Sequence, residues 1–183
     1  MTDLQTDKTD KTDRLRDDHG RGNALAWFVS IVEMVDKLRA AEAAESDEVQ
    51  ANYDEDRPLY LAREEAERAI HESVLSVEVR SGWYAYPSGP RDESDRAPAE
   101  FRILLTTGGP AAQLVGELSD SGEPETARLE FQDWGTPWTE VRFVDLCALA
   151  DKSVPAGSVG GDAIETVKAY LLDFAREFYF GEG

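Results

Sequence analysis

The densest group of residues that could carry chemistry is a turn in which two tryptophans, Trp134 and Trp138, flank a glycine and a proline. Indole rings held in such a turn can stack on a flat ligand, while adjacent amide and carboxylate groups fix its polar edge. Trp83 belongs to a second aromatic group with Tyr84 and Tyr86. An alternative is that these aromatic rings cover the sheet and pack in the hydrophobic core between the sheet and the helices. The candidate pocket for a nucleotide-like ligand consists of Trp83, Gln132, Asp133, Trp134, Trp138 and Glu140.

Motifs for a nucleophile, a metal or a cofactor are missing from the sequence. The chain has one cysteine, Cys147, among apolar neighbours, and two histidines, His19 and His71. One thiol cannot form an internal disulfide, and no Cys/His spacing matches a zinc site. Residues 106–110 lack the spacing and the lysine of a phosphate-binding loop, so they predict a tight turn. We therefore predict no catalytic residue, no metal ligand and no cofactor, and we favour binding over catalysis.

Acidic residues are in large excess, and the excess is concentrated in two segments. The chain has 38 acidic and 19 basic residues, a net charge of −19. Residues 42–72 hold 11 acidic and 3 basic residues, and residues 117–140 hold 7 and 1. Such surfaces repel nucleic acids and anionic membranes and attract basic proteins. The predicted partner is a basic nucleic-acid-binding protein or complex, with no direct contact to nucleic acid or membrane.

The carboxylates expected to meet that partner lie on the second predicted helix and on a predicted hairpin, where they would imitate backbone phosphates. An alternative is that the acidity reflects a GC-rich genome or a salt-adapted cell. The candidate partner-binding residues are Glu64, Glu65, Glu67, Asp120, Glu123 and Glu125.

Helices are expected at both ends of the chain, and they must position these groups. Residues 1–22 repeat a Thr-Asp-Lys triplet without apolar periodicity, which predicts a disordered tail before a single domain of residues 23–183. A first helix is expected from about Asn23, as N-cap, to Ala44. A second begins near Pro58, and the last begins at Asp162, with Glu165 placed as in a capping box.

The middle of the chain is expected to form an antiparallel sheet. Four segments between residues 74 and 134 have strand-like patterns, and residues 138–143 could add a fifth. The connections at residues 108–110 and 120–124 are short and rich in turn formers, which favours hairpins. A short helix is expected over residues 144–150. The fold class predicted is α+β, an antiparallel sheet of four to five strands flanked by N-terminal and C-terminal helices.

The start of the chain has no apolar segment typical of a secretory signal, and no stretch is apolar for long enough to span a bilayer. These features predict a cytoplasmic protein.

Several long motifs resemble a family of small proteins encoded on phages, prophages and plasmids. The stretches are LSVEVRSGWY, then RILLTTGGPA, GEL and QDWGTPWTE, and a terminal FYFGE, within residues 74–140 and 171–182. That family has no biochemical role to transfer, so the resemblance identifies no functional residue. It implies an accessory gene of a mobile element.

Two classes of function are compatible with these features. The first is an acidic inhibitor that acts as a DNA mimic in anti-defence, such as anti-CRISPR or anti-restriction activity, by occupying a basic nucleic-acid-binding host protein. The second is a small-ligand or nucleotide-binding protein that uses the Trp134/Trp138 turn. A partner protein serving the mobile element itself is a further alternative.

Overall fold

A computed structural model describes residues 6–47, 57–83, 97–150, 161–178 and Phe180. In the first helix it describes the side chains of residues 19–44, and in the second helix it describes the side chains from residue 60 onward. The described residues form four helices and one five-stranded sheet, which confirms the predicted α+β class. The elements are α1 (Thr6–Asp47), α2 (Arg57–Ser73), β1 (Ser76–Ser81), β2 (Pro98–Thr106), β3 (Ala111–Glu117), β4 (Arg128–Gln132), β5 (Thr139–Glu140), α3 (Phe143–Ala150) and α4 (Gly161–Arg176).

The sheet is an antiparallel meander in which strands adjacent in sequence are also adjacent in space, in the order β1-β2-β3-β4-β5. Gly108 and Gly109 have positive φ angles in the β2–β3 turn, and Gly122 has one in the β3–β4 turn. Glycine adopts this region without steric cost, which explains why both predicted hairpins form.

One face of the sheet carries the hydrophobic core. A row of Ile103, Leu114 and Leu129 crosses three strands, and each side chain is at most 1% exposed. α1 covers this row with Phe28, Ile31, Val35 and Leu38, which recur at helical spacing along one face. α4 adds Val167, Leu171 and Phe174.

α1 begins at Thr6, so the predicted start near Asn23 is wrong. The helix runs through most of the segment predicted as a disordered tail. Gly20 is already buried, so packed contacts begin before residue 23.

The other helices follow the predictions with small corrections. α2 begins at Arg57, beside Pro58, and α3 at Phe143. α4 begins at Gly161, so Asp162 lies in the first turn and not at the N-cap, where its charge still favours the positive end of the helix dipole. Cys147 is buried and free, as predicted.

Gly116 provides a test of how closely the β3–β4 hairpin and β2 pack. A Cβ at this position would lie 1.8 Å from the carbonyl oxygen of Thr126 and 2.6 Å from the Phe101 ring. We expect Gly116→Ala to lower the free energy of unfolding by about 2 kcal/mol or more, because backbone must move to admit the methyl group. Urea unfolding measures this.

Gly22→Ala is the matched control, since nothing lies within 4 Å of its added Cβ. In the helix this change should raise stability by about 0.5–1 kcal/mol. Equal, small effects of the two substitutions would contradict the packing described for Gly116.

Candidate functional site

The predicted aromatic turn is locked by hydrogen bonds within the chain. The Thr136 N–H donates to the Asp133 carbonyl at 3.0 Å, and the Gln132 amide donates to the Thr136 carbonyl at 2.7 Å. Gly135 takes a φ of 71°, which this turn requires. The indole of Trp134 is 72% exposed.

The same turn connects the start of α1 to the sheet. Asp133 is only 7% exposed, and its carboxylate accepts the Gly20 N–H at 3.3 Å. Asn23 donates its side-chain amide to the Pro110 carbonyl at 3.2 Å. The Trp134 ring lies over Gly109, where an added Cβ would be 2.6 Å from the ring. Gln132 and Asp133, predicted as ligand-fixing groups, therefore have partners inside the protein.

The structure does not bring all six predicted pocket residues together. Trp83 follows β1 and is 99% exposed, whereas Glu140 lies in β5, and β1 and β5 are opposite edges of the sheet. Trp138, four residues after Trp134 in the sequence, is half-buried. Tyr84 and Tyr86 lie outside the described residues. A ligand site at the Trp134/Trp138 turn stays a prediction, and Trp83 is remote from it.

A cavity of about 370 Å³ lies on the face of the sheet opposite the helices, which we call the open face. The sequence analysis missed it, because its walls come from four strands. Its polar lining consists of Glu78, Arg80, Glu100, Arg102, Gln113, Arg128 and Glu130. A signal was present in the sequence, since β1, β2 and β4 each carry an acid and an arginine two residues apart, on one face of a strand.

Oppositely charged pairs cover the open face. Arg80 pairs with Glu100 at 2.6 Å, Arg128 pairs with Glu130 at 2.9 Å, and Arg102 pairs with Glu78. The hydrogen bond from Arg102, followed by its charge, lowers the pKa of the Glu78 carboxyl. Three glutamates of the open face are therefore neutralised by arginines, while Glu117 and Glu140 of the same face have no ion pair among the described residues.

Gln113 is the buried polar residue of the open face, with 4% of its surface exposed. Its amide nitrogen donates to Glu130 at 2.7 Å, while its Oε1 accepts no hydrogen bond from the described residues. A buried acceptor left without a donor costs about 1–3 kcal/mol, so this atom marks a place where a donor group would be stabilised.

The six predicted partner-binding carboxylates lie on the two predicted elements. Glu64 and Glu65 are exposed on α2, and Glu67 pairs with Arg63 at 2.8 Å. Asp120, Glu123 and Glu125 are exposed on the β3–β4 hairpin. Backbone hydrogen bonds between Ser119 and Glu123, at 2.8 Å, and between Gly122 and Ser119, at 2.9 Å, fix the shape of this hairpin.

The negative field around α2 acts on a neighbouring carboxyl group. The pKa of Glu177, just after α4, is raised above its usual value of 4.5, first by burial and then by repulsion from Glu67 and Glu42. His71 and Arg63 partly oppose that shift. Carboxylates from α1, α2 and the end of α4 thus repel one another at one place on the surface.

The remaining reactive groups have structural surroundings. Burial raises the pKa of the Cys147 thiol, which keeps it protonated. The His71 ring packs on Phe178 with 5.0 Å between centroids. Within the described residues, no group of three or more His, Cys, Asp or Glu side chains could hold a metal ion. The described helices include none with the length and apolar character needed to cross a membrane.

The fold and these surfaces define an α+β protein with one covered sheet face and one charged sheet face. Comparisons with protein-family models, with curated proteins and with solved structures found no match.

Glu177 gives a pH-dependent prediction. The folded state raises the pKa of Glu177, so the protonated side chain is the form that favours folding. The stability that Glu177 contributes is therefore full below the pKa it has in the unfolded chain. That stability is lost as the pH rises through the pKa it has in the folded protein. We expect Glu177→Gln to be more stable than the wild type at neutral pH. The difference should disappear below about pH 4, where both states are protonated. Urea unfolding across a pH series measures this.

Glu125→Gln, at an exposed hairpin position, is the control for removing one charge from a chain of net charge −19. A stability difference for Glu177→Gln that stays constant across the pH series would contradict the described burial and repulsion of Glu177.

Proposed function

We propose that this protein acts by contact, docking the carboxylates of α2 and the β3–β4 hairpin on a basic surface of a nucleic-acid-binding protein. One observation carries the proposal. Among the described residues, Glu64, Glu65, Asp120, Glu123 and Glu125 have no ion-pair partner. Three glutamates of the open face, Glu78, Glu100 and Glu130, are by contrast each paired with an arginine. Most carboxylates of the two proposed surfaces are thus exposed to solvent without an intramolecular cation beside them.

The spacing of charges on α2 supports imitation of a nucleic acid backbone. Glu64 and Glu67 lie three residues apart, so they neighbour each other on the helix surface and are separated by about 4.5 Å along its axis. One strand of DNA carries a charge every ~3.4 Å along its axis. A surface that binds phosphates with arginine and lysine side chains can therefore bind α2 by the same contacts.

The resemblance to proteins of phages, prophages and plasmids supplies a biological setting. A mobile element gains from disabling a host defence complex that must itself bind nucleic acid. We propose anti-defence inhibition of such a complex, as in anti-CRISPR or anti-restriction proteins, with the cytoplasm as the compartment. No catalytic residue or cofactor is needed for inhibition by occupancy.

Two triple variants test this function. One is Glu64→Gln with Glu65→Gln and Glu67→Gln, and the other is Asp120→Asn with Glu123→Gln and Glu125→Gln. Each should reduce capture of basic nucleic-acid-binding proteins from a host lysate by about tenfold, because each removes three charges from the docking surface. Quantitative mass spectrometry of proteins retained at low salt, and released at high salt, measures this.

A third triple variant is the matched control, because it removes three exposed carboxylates outside the two surfaces. It combines Glu33→Gln, Asp162→Asn and Glu165→Gln. Equal losses of capture for all three variants would show that only total charge matters. Undiminished capture by both docking-surface variants would rule out the proposed surface.

Small-ligand binding is a second candidate, and the open-face cavity favours it over the aromatic turn. Its volume of about 370 Å³ falls in the range of ligand pockets, and Gln113 presents a buried acceptor beside it. Three guanidinium groups line the same cavity and could hold an anionic group, although each is already paired with a carboxylate.

A thermal-shift series with nucleotides tests the second candidate. A ligand that binds only the folded state raises the melting temperature in proportion to ln(1 + [L]/Kd). If the cavity is the site, Arg102→Gln should abolish the shift and Trp134→Ala should retain it. The reverse result would assign the ligand to the aromatic turn, and a flat series would argue against both sites.

A further inference from the structure

The outer strand β1 exposes apolar side chains at one edge of the described sheet. Val77 and Val79 point to the helix-covered face, beside the buried Ile103 and Phe101 of β2, yet they are 37% and 47% exposed. Leu75, just before the strand, is 57% exposed. Edge strands with exposed apolar residues pair readily with other strands, and proteins usually protect them. β1 therefore has the character of an interface.

The hydrogen-bonding pattern shows which backbone groups of β1 face outward. Leu118 donates its N–H to the Ala99 carbonyl at 2.9 Å, so odd-numbered residues of β2 bond to β3 and even-numbered residues bond to β1. Arg102 is paired with Glu78, so even-numbered residues of β1 bond to β2. The backbone groups of Val77 and Val79 consequently point away from the sheet and can pair with another strand, whereas the register shift after Arg80 interrupts this alternation at Ser81.

We propose that a second copy of this chain pairs with β1 in an antiparallel arrangement about a two-fold axis at Val79. In this register, Val79 faces Val79 of the second copy, and Val77 faces Ser81. The outward backbone groups of Val79 in the two copies then meet in a hydrogen-bonded pair. An isologous interface of this kind closes as a dimer and joins the two sheets into one.

Charge selects this register over its neighbours. With the axis at Val79, Glu78 of each copy faces Arg80 of the other, giving two ion pairs on the open face. A shift that moves the axis by one residue places Glu78 against Glu78 or Arg80 against Arg80, and like charges directly opposite each other destabilise a strand pair. Within β1, Glu78 and Arg80 are the only charged residues, so they decide the register.

The new pairs extend the charge pattern that the sheet already has. Arg102 pairs with Glu78, and Arg80 pairs with Glu100, within each copy. In the dimer, one row would read Arg102, Glu78, then Arg80 and Glu100 of the second copy, with alternating sign throughout. The interface therefore adds no net charge, although each chain carries −19 in total. Charges farther than about 8 Å apart are largely screened at physiological salt.

The apolar ends of the strand also fit this register. Leu75 donates its N–H to the Leu104 carbonyl of β2 at 2.8 Å, so the strand pairing between copies ends before it, and Leu75 and Trp83 lie beside the two ends of the paired segment. Trp83 is 99% exposed in the single chain, which leaves a large aromatic side chain in water. Contact with Leu75 across the dimer would remove both side chains from water.

Two single variants and their mixture test the dimer and its register together. Glu78→Arg leaves two arginines facing each other, and Arg80→Glu leaves two glutamates facing each other, so each variant alone should dimerise at least about tenfold more weakly than the wild type. Mixing the two variants restores both opposite-charge pairs in a heterodimer. Sedimentation velocity over a concentration series, at fixed physiological salt, measures all three samples.

Glu117→Arg is the matched control, because it makes the same charge change on β3, away from the edge. It should dimerise like the wild type, and circular dichroism should show all variants folded. A wild type that stays monomeric at its highest soluble concentration overturns the proposal. The proposal is also overturned if either single variant dimerises as strongly as the wild type. It is overturned again if both variants associate weakly but their mixture forms no heterodimer.

Discussion

Burial of a single face of the sheet is the constraint on which the rest of the structure depends. Side chains alternate across a strand, so a row of Ile103, Leu114 and Leu129 under the helices requires the next row to face the other way. That next row contains Glu78, Arg102 and Arg128. Opposite charges in contact satisfy one another and remain hydrated, so the open face needs no further layer. The arginines of the sheet are thereby committed to glutamates of the sheet.

A second consequence of one-sided burial is that α1 must be fixed accurately on the covered face. Its apolar side chains supply the attraction, but attraction of this kind does not set position along the strands. Specific contacts at the start of the packed helix do so. An added Cβ at Gly20 would lie 2.9 Å from the Phe131 ring, and the Gly20 N–H reaches Asp133. The conspicuous Trp134 turn is thus part of the connection between helix and sheet.

Elements governed by local sequence were predictable, and features formed across strands were not. β2, β3 and β4 lie within the predicted segments because a two-residue period and adjacent turn formers are readable over a few residues. The start of α1 was missed because the Thr-Asp-Lys repeat has no apolar periodicity, which is the signal that predicted the other helices. Pairs such as Glu78 and Arg102, 24 residues apart, depend on register, which only the folded sheet reveals. On α2, Leu61 is 50% exposed whereas Ile70 is fully buried, because only part of the helix packs on α1.

The proposed docking surface and a uniform bias in composition differ in where they would place unpaired acidic residues. A bias alone would add carboxylates wherever solvent reaches, without regard to arginine. In the described residues, Glu78, Glu100 and Glu130 of the open face are paired with arginines, whereas most acidic residues of α2 and the hairpin, like Glu117 and Glu140, are unpaired. Repulsion among Glu42, Glu67 and Glu177 is a local cost of this arrangement at neutral pH.

A basic partner on α2 would relieve that cost, because a cation beside Glu67 also reduces its repulsion of Glu177. Part of the binding free energy would then come from strain already present in the free protein, and the remainder from new charge-assisted hydrogen bonds. A neutral surface docked on α2 would leave the repulsion between Glu67 and Glu177 unchanged. The same carboxylates that weaken the isolated fold would therefore strengthen its complex with a cationic partner.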